Sequence, residues 1–388
     1  MKSIIPFLLT LVLTACGGGG GGGGSGHPGL SAVATVGNSN LIYNTAVGDL
    51  NGDELDDIAV GGWNYNRDGA YVFVYIQNAD GTLTDRTSQF LSNNLIHGSQ
   101  HIYIADFDND GHNDIFVPGF LDGSIMRPAT SVMFWGGTGQ FTRQDFTEPV
   151  QAHGACLDDI NGDGYLDMIV AAGGVYYNNH NRTFTLDASP LNGWPQFDSC
   201  AVAHQTNGDI NIALGDNYAI NGFASNVNVY NSSMVFQSSF GIPANAGTDL
   251  VEINVLDTNQ DGVKDFVLSF NYNDTQNIVA TPYKAVYLNT APNTYAVQTT
   301  LNTDNNEYHS YTITLNGVPS IFFPGYLTPN RVYQTVNHAL VEYKPGAFAS
   351  MTSGVRRATG GAVYQNASSG KIYMLYLLDG TYYTKEML

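Results

Sequence analysis

DFDNDGHNDIFV, residues 106–117, is the stretch whose reading decides the fold. Asp106, Asp108, Asp110 and Asp114 crowd four like charges into nine residues, and an apolar run follows at once. Charges this close repel unless something of opposite sign sits among them. The stretch has three kin: DLNGDELDDIAV from Asp49, DINGDGYLDMIV from Asp159 and DTNQDGVKDFVL from Asp257. The shared pattern is D-x-[DN]-x-D-x-x-x-D, then a strand-like run. Successive copies lie 57, 53 and 98 residues apart. The last gap is nearly twice the period, and a degenerate copy, HQTNGDINIALG at 204–215, fills it. Two further shells, YTITLNGVPSIFFPGY at 311–326 and GAVYQNASSGKIYMLYLL at 361–378, keep the strand–turn–strand shape without the acidic set.

Each repeat reads as four short strands, with β-branched and aromatic residues in period-2 alternation and Gly, Asn and Asp as punctuation. In the first, the acidic loop turns YNTAVGDL into LDDIAVGGW, and GAYVFVYIQ and GTLTDRTSQF follow. Four-stranded units at this period predict an all-β fold, a β-propeller of four-stranded blades. The count is seven; six or eight are also compatible, because the fourth, sixth and seventh copies are weak. The last repeat ends one strand early, and LSAVATV at 30–36 is a spare strand. It is expected to complete the last blade and close the ring, which removes two open edges.

The loops fit a hard cation. Oxygen ligands at positions 1, 3, 5 and 9 alternate inward in a tight loop, and position 7 can offer its carbonyl. Glycine at position 6 permits a left-handed turn, and it is present as Gly111, Gly164 and Gly262. Glu54 replaces it in the first loop, at a cost of roughly 1 kcal/mol of backbone strain. Where a helical calcium loop has a bidentate glutamate at position 12, this chain has Val60, Val117, Val170 and Leu268, so the site is built on a hairpin. Through these loops the chain resembles the FG-GAP/VCBS repeat family, whose propeller is similar to the integrin alpha-subunit head. The resemblance implies about four calcium sites: Asp49, Asn51, Asp53 and Asp57 with the carbonyl of Leu55; Asp106, Asp108, Asp110 and Asp114 with that of His112; Asp159, Asn161, Asp163 and Asp167 with that of Tyr165; and Asp257, Asn259, Asp261 and Asp265 with that of Val263. Magnesium suits such a flexible, carboxylate-rich loop less well. The first loop is expected to be the weakest site and the second, with its extra aspartate, the tightest.

The chain begins with a segment of another kind. Lys2, an apolar run from Ile4 to Leu13 and the tetrad Leu13-Thr14-Ala15-Cys16 resemble a bacterial lipoprotein signal, residues 1–16, with Cys16 lipidated. Residues 17–29 are a Gly-rich tether, and 30–388 form the propeller. Gly17 after the cysteine resembles the sorting pattern for the outer membrane. The formal charge of −20 argues against nucleic acid and anionic lipid as direct partners. The expected membrane contact is the lipid anchor alone. Cys156 and Cys200 are the remaining cysteines. An exported chain can oxidise them, while their similar place in the repeat disfavours a bridge, and the sequence leaves the pairing open.

The face opposite the acidic loops carries an aromatic set, Trp63, Tyr65, Phe120, Tyr218, Tyr272 and Tyr326. Nearer the axis are Asn44, His101, His153, Glu252, His309 and Arg357. An aromatic outer set with a polar inner set suits a sugar or a protein segment. Packing and local hydrogen bonds account equally for such residues. No linear motif of a serine hydrolase, zinc protease, P-loop or dinucleotide enzyme occurs. The expectation is a calcium-binding, surface-tethered binding or adhesion module for protein or glycan. The alternative is a polysaccharide-active lyase or hydrolase with its site at the channel mouth.

Overall fold

The structure is a computed structural model. It describes residues 31–35, 41–64, 70–99, 101–122, 127–150, 152, 154–171, 173–188, 197–216, 226–241, 249–271, 283–291, 293–302, 310–315, 317–323, 331–345, 362–378 and 381–386. Among them the fold is all-β apart from one helical turn, Thr87–Phe90. Among the described residues no helix is long and apolar enough to cross a membrane.

Six sheets are four-stranded and antiparallel. The first consists of Leu41–Gly48, Asp57–Asn64, Phe73–Gln77 and Leu83–Asp85. The third is Ala155–Asp158, Asp167–Val170, Gly174–Asn178 and Phe184–Asp187, and the same order recurs in sheets starting at Phe197, Asp249 and Tyr311. The last, Ala362–Gln365, Ile372–Leu378 and Thr381–Glu386, takes Ser31–Thr35 as its fourth strand, with Ser31 opposite Thr384 and Thr35 opposite Thr381. The N-terminal strand thus closes the ring as expected.

The expected seven four-stranded blades are corrected to six. The repeat at Asp106 builds a five-stranded sheet instead. Its third strand, Arg127–Trp135, is nine residues long. Its C-terminal half pairs with Asp114–Val117, and its N-terminal end pairs with a short extra strand, Leu121–Asp122. A register break between Thr130 and Val132 on the Thr142–Val150 side marks where the long strand changes course.

The first strands form the inner ring. Leu41–Gly48 touches Tyr103–Ala105; Ala155–Asp158 touches Phe197–His204, and contacts continue through Asp249–Leu256, Tyr311–Leu315 and Ala362–Gln365 back to Leu41–Gly48. Between the second and third sheets the Tyr103 hydroxyl accepts the N–H of Ala155 at 2.8 Å.

The second strands explain the unbroken apolar runs after each acidic loop. Alternate side chains face different neighbours. Ile58 and Val60 pack toward the last sheet with Tyr364 and Leu375, whereas Ala59 packs toward the second with Ile115 and Phe134. Phe116 points the other way, among Ile169 and Tyr176 of the third sheet. Phe266 and Leu268 face the fourth sheet and Val267 the sixth. A strand covered on both faces needs apolar residues at every position. The core is therefore a series of seams between sheets.

The aspartate that opens each of four second strands is fully buried: Asp57, Asp114, Asp167 and Asp265. One carboxylate oxygen accepts the N–H of the loop's second residue, Leu50, Phe107, Ile160 or Thr258. The other accepts an N–H at the end of the third strand: Gln77, Gly136, Asn178 or Asn289. One side chain thus ties the hairpin turn to the third strand.

Cys156 and Cys200 form a disulfide between the first strands of the third and fourth sheets, with Cα atoms 5.7 Å apart. The sequence left this pairing open, and the structure resolves it as a bridge. The two are not equivalent in the repeat: Cys156 lies three residues before Asp159, Cys200 five before its counterpart Gln205. That stagger lets neighbouring strands bring them within bridging reach.

Two consequences can be measured. Asp265→Ala leaves two buried N–H groups unpaired and should cost about 2–5 kcal/mol in urea unfolding, with Asp265→Asn recovering part of it. Replacing Cys156 and Cys200 together by Ala should lower stability by about 2–4 kcal/mol, read from the same transitions.

Candidate functional site

The four acidic loops share one backbone path. Position 6 is left-handed in each, with φ of 66° at Glu54, 88° at Gly111, 90° at Gly164 and 86° at Gly262. The strain expected of Glu54 is present. Position 4 is left-handed as well: Gly52, Asn109, Gly162 and Gln260 have φ between 57° and 82°. Sequence reasoning missed this, although Gly or Asn at three of those positions was the available signal.

The first carboxylate organises each loop. Asp49 accepts N–H groups from Asn51, Gly52 and Asp53 on one oxygen and from Glu54 on the other. Asp106, Asp159 and Asp257 likewise accept from the residues four and five ahead. The fifth-position aspartates accept the N–H of Leu55, His112, Tyr165 and Val263. These bonds hold acidic side chains over the turn despite their mutual repulsion.

Convergence differs between loops. Asp49, Asp53 and Asp57 each offer an oxygen within 4.8 Å of the others, and so do Asp106, Asp108 and Asp114. Among the described residues the third and fourth loops form no such group. In the third, His180 binds Asp163 at 2.9 Å and stacks on Tyr165 with ring centres 4.0 Å apart. In both the third and fourth, the position-3 amide turns to its neighbour, Asn161 to Asp163 and Asn259 to Asp261. Asn51 does the same with Asp53. Arg182 reaches Asp108 and Asp110 in the second.

Burial pushes Asp57 and Asp114 up to about 7, against their amide bonds and with the nearby aspartates adding to the rise. Asp167 and Asp265 are raised for the same first reason. The His180 hydrogen bond lowers Asp163. All-oxygen donors, loops pre-folded on their own amides and buried carboxylates destabilised as anions fit a hard divalent cation.

At the strand entries, His101 stacks near Tyr103 with ring centres 6.0 Å apart. Burial pushes Glu252 up to about 7, while His101 pulls it down, so the two interact. Burial also raises the Tyr103 phenol, with Glu252 adding to the rise. Tyr103 was not singled out from the sequence. Asn44 and Phe120 are buried, at 5% exposure each, which makes packing the better account of the Phe120 ring. Tyr65, His153, Tyr218, Tyr272, His309, Tyr326, Arg357 and the side chain of Trp63 lie outside the described residues, as does Cys16. A cavity of about 330 Å³ lies among the inner strands, lined by Cys156, Asp158, Cys200, Asn254 and Thr312 among others.

The family model described as FG-GAP-like repeat matches residues 49–117, which hold the first two acidic loops. Among solved structures, the V. cholerae biofilm matrix protein Bap1 is 14% identical, over 93% of this chain and 60% of its own length, with a TM-score of 0.42. The Dos1 propeller is 12% identical over 92% of this chain and 87% of its own, with a TM-score of 0.47. BBS1N, solved in complex with ARL6DN, is 12% identical over 75% of this chain and 92% of its own, with a TM-score of 0.38. The matched segment is thus similar to an FG-GAP-like repeat, and its acidic loop and antiparallel sheet recur along the chain as the blades of a β-propeller.

Proposed function

We propose that the chain is a calcium-stapled binding or adhesion module, lipid-tethered through Cys16 at the bacterial outer membrane, that recognises a protein or glycan. The observation that carries the calcium part is the convergence of three carboxylates within 4.8 Å in each of the first two loops. Asp49, Asn51, Asp53 and Asp57, and Asp106, Asp108, Asp110 and Asp114, would hold the ion, with Leu55 and His112 offering carbonyls. The third and fourth loops, from Asp159 and Asp257, share the backbone path and are the further sites. Bound calcium supplies positive charge where buried carboxylates repel. The chain's own residues fix the loop through amide bonds before any ion arrives. The apolar run 4–13, the tetrad ending at Cys16 and the glycine run after it support the tether.

The partner surface is the face opposite the acidic loops, where His101 and Glu252 interact. A second reading draws on the same pair. A carboxyl group poised near 7 beside a histidine suits general acid–base work on a polysaccharide. Glycan-array binding without turnover supports the module; product release from a polysaccharide panel, abolished in Glu252→Gln, would instead support the enzyme.

The calcium reading makes a pH prediction. Asp57 and Asp114 are raised from 3.8 to about 7 in the folded chain without an ion. The folded state then binds more protons than the unfolded state between those values, so stability falls as pH rises through that window. In chelator, the melting temperature should drop from pH 5 to pH 8. Saturating calcium should raise it and remove most of that slope. An unchanged melting curve on chelation, with no calcium in elemental analysis, would show the loops to be turns alone.

A further inference from the structure

The turn between Gly174–Asn178 and Phe184–Asp187 reaches out of its own sheet. His180 and Arg182 in it both have left-handed φ, 66° and 63°. Such backbone is strained for a side-chain-bearing residue, and persists where surroundings hold it in place. They do so here. Asn178 donates to the carbonyl of Phe107 in the second loop at 2.7 Å. Arg182 Nε donates to Asp108 Oδ2, and its Nη2 to Asp110 Oδ2 at 3.1 Å. The guanidinium also lies over the Trp135 ring, 5.4 Å from its centre. The Asp108 side chain is only 9% exposed, whereas that of Arg182 is 40% exposed, so solvent screens the pair from the arginine side.

Asp108 is the residue that sets the second loop apart: the other three have Asn51, Asn161 and Asn259 at that position. The additional carboxylate is the one Arg182 Nε engages. Among the described residues no Lys or Arg pairs with Asp49, Asp53 or Asp57 of the first loop.

We infer that Arg182 is the second loop's built-in counter-cation, which neutralises Asp108, holds the loop without an ion and competes with a divalent cation there. This rests on the calcium reading of the loops. It reverses the order expected from aspartate count: the first loop binds calcium more tightly than the second.

The test uses the whole mature chain with Arg182→Gln and Arg182→Lys. Calcium binding is followed by calorimetry, and the second loop by terbium luminescence excited through Trp135. Arg182→Gln should tighten one calcium site about tenfold, while Arg182→Lys, which keeps the charge, stays within about twofold of the parent. In chelator Arg182→Gln should melt below the parent, and saturating calcium should close that gap. Unchanged affinities in Arg182→Gln, with the parent binding calcium, overturn this inference alone. So does a melting deficit that calcium leaves in place, because the side chain then acts by packing on Trp135. If neither protein binds calcium, this inference and the calcium reading both fall.

Discussion

A fully buried aspartate at the start of the second strand, Asp57, Asp114, Asp167 or Asp265, accepts one N–H from its own turn and one from the end of the third strand. This one contact spaces three strands at the loop end of a sheet and fixes the turn on which the other aspartates stand. Its anionic form is costly inside the protein, and in the first two loops the neighbouring aspartates add to that cost. Repeats that lack the aspartate use neutral amides. In the sheet starting at Tyr311, Gln334 donates to the carbonyl of Leu315 and to Ser320 Oγ, so the third strand now supplies the side chain. In the fourth, Asn211 donates to the Tyr295 hydroxyl of the next sheet at 2.7 Å.

Sheets in this ring cannot be understood singly. Each second strand divides its apolar side chains between two neighbours, so a sheet removed from the ring would bare both faces. Polar contacts cross the same seams at the loop end. Asn113 donates to the carbonyl of Asp49, Asn109 to that of Gly164, and Gln77 to that of Gln365. Loops that resemble separate ion sites in sequence are thereby coupled through backbone and charge.

The repeat, the strand-like runs and the left-handed sixth position were legible because they depend on neighbours within a dozen residues. The closing strand was legible too, since LSAVATV was apolar, alternating and left over. The five-stranded sheet was not. Nothing local in RPATSVMFW says that its N-terminal end will pair with Leu121–Asp122. Arg182 was invisible for a similar reason: its carboxylate partners lie 74 and 72 residues away, on another sheet. The disulfide stayed open because the two-residue difference in offset, three before Asp159 against five before Gln205, becomes a bridging distance only once the two first strands are known to lie side by side. Tyr103 looked like one more strand aromatic until its hydroxyl was seen to receive the N–H of Ala155.

Ser31–Thr35 pairs with Thr381–Glu386, almost the full length of the chain away. This strand is the first part of the propeller to leave the ribosome and the last to find its partner. Until synthesis reaches Glu386, its backbone N–H and C=O groups have no native mate, and the first sheet has an uncovered seam. Closure of the ring is therefore a late, whole-chain event with a large loop entropy to overcome.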